Sequence, residues 1–391
     1  MKIALIDPSL FTWPYDVKLV QGLASIGHDV TIYGSELPKP FTGTDTSFLK
    51  RHFYPGFANP AIQKLPKRAF LVLKGISHIE SMIRLLWVLH RERPDVIHFQ
   101  WTPLAVVDMR FIPLFRRIAP IVLTVHDSIP FNNKPSARLQ YLGAVAIMKK
   151  FDQLIVHTAA ARARLENYGI PADKINIVPH GLLLEPKESA PYAGGNGCVN
   201  LLMFGGIKPY KGVDILLRAI ALLPEAARRS CCLHVVGEPC MPMEPLFDLV
   251  NSLGISEQVK FDLRFVPEGE VGTVMESADI QVFPYRDIDA SGVLTLAIGV
   301  GRTIVASKLG VFDELLRDGI HGALVEPDDP QALAAALYPL IMDTAVRVRT
   351  AQAVKALANS ISDWSDIARR TQEVYSRAKL NGATAKFRAA D

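Results

Sequence analysis

The stretch ADIQVFPYRDIDASGVLTLAIGVGRTIVASKLGVFDEL, starting at Ala278, admits few folds. A β-rich run from Ile280 to Phe283 breaks at Pro284. A polar loop from Tyr285 to Ser291 then delivers Gly292 into an apolar helical run, and a second strand pattern follows from Thr303 to Ser307. Strand, loop, helix and strand in that order make a β-α-β unit, whose strands lie parallel across a right-handed crossover. A loop that ends at a helix N-terminus leaves backbone N–H groups unpaired and pointing forward, which is a ready anion site.

The same alternation runs along the chain. Lys2 to Ile6 reads as a strand, then comes the loop DPSLFTWPYD, a helix through Val17, Val20, Leu23 and Ala24 that Gly27 ends, and a strand from Val30 to Tyr33. Further strands are expected at Val96 to Phe99, Ile121 to Val125, Leu154 to His157 and Ile175 to Val178, with the first domain closing near Gly181. Glu185 to Gly197, rich in Pro, Gly and charge, reads as a linker. A second series follows, with strands at 199–204, 232–236, 259–261 and 280–283 and helices at 213–222, 245–253 and 268–277. The expected fold is α/β: two Rossmann-like, doubly wound parallel-sheet domains facing each other across a cleft. A chain of 391 residues also exceeds one ordinary core.

With 49% apolar and 21% charged residues, the chain reads as folded and soluble. Cys198, Cys231, Cys232 and Cys240 have neither zinc spacing nor the density of a disulfide framework. The apolar start is stopped at Asp7-Pro8, which argues against a signal peptide, and no uncharged run is long enough to span a bilayer. Residues 1–190 carry 23 Lys and Arg against 15 Asp and Glu, and the remainder carries 20 against 24, giving +8 and −4 within the overall +4. A basic first half suits an anionic surface or substrate, and an acidic second half argues against a nucleic-acid binder.

Three stretches carry chemistry. The loop GGIKPYKG, residues 205–212, follows a strand and opens a helix at Val213. Its glycines let the backbone approach an anion, Lys208 and Lys211 supply charge, and the helix adds its positive end. Two anion-facing helix starts, at 213 and 292, suggest a diphosphate. In the first half, Gln100, Trp101 and His126 fall at C-terminal strand ends, where open parallel sheets bind ligands. Phe11, Trp13 and Tyr15 in the first loop either stack on a sugar or cap the sheet. The third stretch, KLPKRAFLVLKGISHIESMIRLLWVLHRER, follows a weakly patterned loop from Phe41 to Pro66. It pairs Ser77 with Glu80 as a capping box, repeats Ile79, Met82, Ile83, Leu86 and Leu89 at helical spacing, and is surrounded by Lys64, Lys67, Arg68, Lys74, Arg84, Arg91 and Arg93. The 79–89 stripe is expected to pack on the sheet, and residues 64–76 are the candidate contact with an anionic membrane.

FGGIKPYKGVDILLRA and the stretch from Ala278 through HGALVEPDD, with GHDVTIYG, DVIHFQW, LTVHDSIP and VHTAAARARLENYGIPADKINIVPHG upstream, resemble family 4 of the retaining glycosyltransferases over about residues 1–378. The resemblance implies a GT-B fold with an acceptor domain at 1–185, completed by a C-terminal helix at about 364–378, a donor domain at 198–363 and a disordered tail at 379–391. It implies a nucleotide-diphosphate sugar donor, no essential metal or other cofactor, and retention at the anomeric carbon. Lys211 corresponds to the family's phosphate-contacting lysine. Gly206 stands where the family has an arginine, with Lys208 as its substitute and Gly205 beside it. Gly292, Val293 and Leu294, after Ser291, match the loop whose N–H groups meet the diphosphate, and His126 matches the histidine near the donor sugar's 6-position. Base recognition is expected from backbone around Arg264, Phe265 and Val266, and acceptor contacts from Trp13, Tyr15, Gln100 and Trp101. The family's Glu, seven residues, Glu pattern is not intact: its first Glu falls at Asp289 and its second at Leu296 or Ala297.

Retention is open to front-face attack assisted by a leaving phosphate oxygen or to a double displacement through a carboxylate, for which Asp289 is the candidate. Asp289 is read as binding a sugar hydroxyl, with a solvated loop acid or helix cap as the plain alternative. The leading function is transfer of a hexose from a UDP- or GDP-linked sugar to a lipid-linked or polysaccharide acceptor, by a cytoplasmic protein peripheral to the inner membrane face. A sugar-nucleotide epimerase or hydrolase and a non-catalytic GT-B scaffold subunit are the competing readings.

Overall fold

The computed structural model describes residues 1–37, 46–128, 137–186 and 197–388, without side-chain detail at 137–142 and 381–388. The chain forms two compact units, Met1–Pro179 with Ser362–Asp391, and His180–Ile361. Most of the expected linker, including the segment 187–196, lies outside the described residues.

The first unit contains β1 (Lys2–Asp7), α1 (Trp13–Ser25), β2 (Asp29–Gly34), β3 (Leu49–Arg51), α2 (Pro60–Gln63), α3 (Lys67–Glu92), β4 (Val96–Phe99), α4 (Ala105–Ile118), β5 (Ile121–Thr124), α5 (Ala137–Met148), β6 (Gln153–Val156), α6 (Ala159–Asn167) and β7 (Ile175–Ile177). Among the described residues its sheet runs β3-β2-β1-β4-β5-β6-β7. All its strand pairs are parallel. The strand order reverses beside β1, between β2 and β4, the kind of switch point at which open parallel sheets bind ligands.

The second unit contains β8 (Val199–Phe204), α7 (Val213–Leu222), α8 (Glu225–Arg229), β9 (Cys231–Val236), α9 (Glu244–Ser252), β10 (Val259–Asp262), α10 (Glu268–Glu276), β11 (Ile280–Phe283), α11 (Gly292–Val300), β12 (Thr303–Ser307), α12 (Gly310–Leu315), β13 (Gly322–Val325), α13 (Pro330–Met342) and α14 (Thr344–Ser360). Its parallel sheet is ordered β10-β9-β8-β11-β12-β13, switching between β8 and β11. β11 and β12 are buried along their whole length because helices cover both faces. The last helix, α15 (Trp364–Arg388), returns to the first unit and lies so close on α1 that a Cβ at Gly22 would stand 2.3 Å from the Trp364 carbonyl oxygen.

Several expectations change. α15 continues past 378 to Arg388, so the tail is helical over most of its length. β3 interrupts the expected long loop. α3 is one 26-residue helix. Ser77 therefore sits in its middle and caps nothing; it is buried beside His78, whose Nε2 lies 2.6 Å from Asp108 Oδ1. The helix has two apolar stripes. Met82, Leu85 and Leu89 face the core, whereas Ile79 and Ile83, expected to pack on the sheet, are exposed. Lys74 leaves the basic rim and places its ammonium 4.8 Å from the Tyr54 ring centroid.

Candidate active site

The phosphate-type loop of the second unit is built on backbone that side chains would block. β8 ends at Phe204, and Gly205 takes a φ of 94°. A Cβ there would stand 3.0 Å from Lys211 Nζ and 3.2 Å from Val293 Cγ2. The bare glycine thus lets the lysine of one loop and the start of α11 close on the same point. Pro209–Lys211 form a single 3₁₀ turn, and Gly212, at φ 68°, enters α7 so tightly that a Cβ would meet the Pro284 carbonyl oxygen at 2.0 Å.

Lys211 is buried, 6% exposed. Its Nζ donates to the Phe204 carbonyl at 3.4 Å and lies 5.4 Å from the Tyr285 ring. Burial first, and the Lys208 charge second, pull its pKa down to about 7. A lysine held where its own charge is disfavoured is matched to a ligand that brings the opposite charge.

At α11, Ser291 is the N-cap. Its Oγ and carbonyl oxygen both accept from the Leu294 N–H, so Leu294, one of the expected phosphate donors, is already engaged. The Gly292 and Val293 N–H groups have no hydrogen-bond partner among the described residues, and they are the two that an anion can take. Asp289 is buried at 1% exposure and the cap of α11 is Ser291, so Asp289 is neither a solvated loop acid nor a cap.

Arg286 was not singled out in the sequence. Its Nη1 and Nη2 donate to the two carboxylate oxygens of Asp214 at 2.9 and 2.7 Å, and its Nε donates to Asp328 at 2.6 Å. Nη1 also donates to the Pro209 carbonyl, and the backbone N–H donates to Tyr210. One guanidinium therefore straps the 205–212 loop and the first turn of α7 to the loop that leads into α11. Around the expected base site, Arg264 is spent on Asp262 and Glu270, Val266 is buried and Phe265 is 45% exposed.

A second cluster lies at the strand ends of the first unit. The His126 ring stacks on Trp101, with centroids 5.5 Å apart, and meets Tyr15 edge-on at 5.0 Å. His126 Nε2 lies 2.8 Å from Gln100 Oε1, and its Nδ1 lies 3.3 Å from His157 Nε2. Burial pulls the His157 pKa down to about 4. The neutral His157 ring donates Nδ1–H to the Val178 carbonyl at 2.9 Å, so its Nε2 accepts from His126. Trp101 Nε1 donates to Thr12 Oγ1, and Thr12 in turn hydrogen-bonds Asp7 and Asp16. Both carboxyls are fully buried and in mutual contact. Burial raises both, and the Asp7 charge pushes Asp16 higher still.

Of the aromatic residues in the first loop, Trp13 is a correction. It is 0% exposed and packs toward Phe48, a core role that leaves no face for an acceptor. Tyr15 and Gln100 are buried as well and act on the cluster through His126. Trp101 is half-buried, and Phe11, 63% exposed, packs edge-on against it.

The chain is similar to known proteins over most of its length. Residues 17–185 match the family model described as Glycosyltransferase Family 4, and residues 198–343 match that of Glycosyl transferases group 1. A Thermobispora bispora protein named D-inositol 3-phosphate glycosyltransferase is 27% identical across 93% of this chain and 89% of its own. The Streptomyces coelicolor protein of the same name is 28% identical across 93% and 86%. Anabaena Alr3699/HepE, solved in complex with UDP and glucose, superposes with a TM-score of 0.72 at 19% identity, covering 96% of this chain and 99% of that one. WaaG, a glycosyltransferase involved in lipopolysaccharide biosynthesis, superposes with a TM-score of 0.67 at 18% identity, covering 95% and 99%. Both structures share the fold. Two matched family models, relatives along nearly the whole length and two Rossmann-like parallel sheets place the chain in family 4 of the glycosyltransferases, as an enzyme of the GT-B fold.

Proposed function

We propose that the chain transfers a hexose from a UDP- or GDP-linked sugar, with retention and without a metal ion, to a lipid-linked or polysaccharide acceptor. We place the reaction in the cytoplasm at the inner membrane face. The observation that carries the donor assignment is the buried Lys211, whose Nζ shares one point with Gly205 and the start of α11. In the reaction the bond from the anomeric carbon to the phosphate oxygen breaks and the acceptor oxygen bonds to that carbon. The acceptor proton passes to the departing diphosphate. Lys211, Lys208 and the Gly292 and Val293 N–H groups carry the charge that develops there, which a divalent ion supplies in other enzymes. Asp289 holds a donor-sugar hydroxyl, and His126, oriented by Trp101 and Gln100, is the histidine for which the family resemblance implies a sugar contact.

That Alr3699/HepE was solved with UDP-glucose supports a uridine donor. The relatives named D-inositol 3-phosphate glycosyltransferase favour a second acceptor reading, a phosphorylated polyol in place of a lipid-linked sugar. The test is nucleotide release from a panel of UDP-, GDP- and ADP-sugars, each with and without EDTA, against membrane lipid extract and against inositol phosphate. Release with one donor and one acceptor class in EDTA supports the reading. Release from no donor overturns it and favours a scaffold, and loss of release in EDTA overturns the metal-free part.

A further inference from the structure

α3 projects an apolar face that the fold does not use. Its buried side chains begin at Ser77, so none of the first ten residues is buried. Val72, Ile76, Ile79, Ile83 and Trp87 follow one another at spacings of three and four, which aligns them along one side of the helix over about 22 Å. All five are exposed, from 40% at Ile79 to 63% at Val72, and Leu71 beside them is 56% exposed. Scattered surface apolar residues do not form such a line.

The rim decides what covers it. Lys64, Lys67 and Arg68 are exposed at the N-terminal end of the row, and Arg84 and Arg91 flank its C-terminal half. The Arg91 guanidinium lies 3.7 Å from the Trp87 ring centroid, joining a cation to the row's aromatic end. Of the helix's two acids, Glu80 pairs with Arg84 and Glu92 pairs with Lys50. The face is therefore apolar with a net positive border. A second copy laid on the same face would bring two positive borders together, and an acidic or neutral pocket would demand a shape that a straight row does not offer. A bilayer with anionic headgroups meets both properties without a shape requirement.

We infer that α3 docks on an anionic membrane with Val72, Ile76, Ile79, Ile83 and Trp87 in the interface and Lys67, Arg68 and Arg91 at the headgroups. This deepens the membrane location proposed above and moves the contact from residues 64–76 to nearly the whole helix. It does not depend on the donor or on the transfer reaction, because α3 carries none of the residues assigned to either.

The probe is vesicle flotation with the full chain, using phosphatidylcholine alone and phosphatidylcholine with roughly a third phosphatidylglycerol. Trp87 is the exposed member of the four tryptophans, since Trp13 and Trp364 are buried and Trp101 is half-buried. Binding should therefore shift emission to the blue, and Trp87→Phe should remove the shift. The double variant Ile76→Glu with Ile83→Glu should weaken partitioning at least about tenfold, and Lys67→Glu with Arg68→Glu should do likewise at low salt. Leu222→Glu, at an exposed apolar position of the second unit, should change nothing. Equal binding to neutral and anionic vesicles would overturn the inference. So would binding unaffected by the Ile76 and Ile83 changes, or a concentration-dependent dimer that those changes abolish. Nucleotide release without vesicles, retained in the variants, would show that the transfer reading survives such a failure.

Discussion

At the scale of single residues, Lys211 carries a charge that its surroundings oppose, and the opposition has a sign. Its folded pKa of about 7 lies below the ordinary 10.5, so between those values the unfolded chain holds more protons than the folded one. The penalty is complete below about pH 7 and is relieved as pH rises toward 10.5. Lys211→Met is therefore expected to raise stability most at pH 6, by urea unfolding, while abolishing most donor turnover; equal stabilisation at pH 6 and pH 9.5 would contradict this account. A bound diphosphate restores the charge, so UDP binding near pH 8 should take up close to one proton, seen by calorimetry in buffers of different ionisation enthalpy. Arg286→Ala should raise the donor KM about tenfold, about 1.4 kcal/mol, with a smaller change in kcat, because it loosens the loops and touches no reacting atom. Arg286→Lys should not rescue it, since the Asp214 pair needs two parallel donors. The meeting of Lys211 with Gly205 and the place of His126 at a strand end were legible, because loop glycines and strand ends have fixed geometric meanings. Arg286 was not, because its partners at 209, 214 and 328 are joined to it only by the fold.

At the scale of elements, the central strands were legible nearly to the residue because parallel strands covered on both faces are continuous apolar runs. β3 was not: it is a three-residue edge strand, Leu49–Arg51, with two cations and no buried position. α3 was misread in a different way. Ser77 and Glu80 have the spacing of a capping box, yet a 26-residue helix passes through them, and two stripes with nearly the same period overlap in the sequence as one. The entry to α7 is the tightest joint of the candidate site. Gly212→Ala places a methyl group against the Pro284 carbonyl and strains a φ of 68°, with an expected cost of about 2–3 kcal/mol. The check is a lower urea midpoint with an unchanged slope; a neutral result would mean that the β11 loop moves freely.

At the scale of the whole molecule, the two compact units were legible from the repeated alternation, whereas the closeness of α15 to α1 was not. That contact requires a glycine at 22, which in sequence is one small residue inside a helix. Gly22→Leu should push α15 from α1 and cost the first unit about 3 kcal/mol. Hydrogen exchange should then accelerate in β1, α1 and α15 and stay unchanged in β8 to β13. Acceleration in both sets would mean that the two units unfold as one.

The return of α15 also sets an order of events during synthesis. The first unit is interrupted at Pro179 and resumes at Ser362, so everything between must be made before its last helix exists. At 5 to 20 residues per second, that delay is on the order of 10–40 s. Through it the nascent first unit waits with the Gly22 face of α1 and with His98, both later covered by the helix that brings Trp364 onto Gly22 and Tyr375 onto His98. The second unit has all of its strands and helices in one continuous stretch and can fold on the ribosome first. The N-terminal half of the sequence is thus completed last, and a holdase that shelters nascent apolar surface should bind it during that interval.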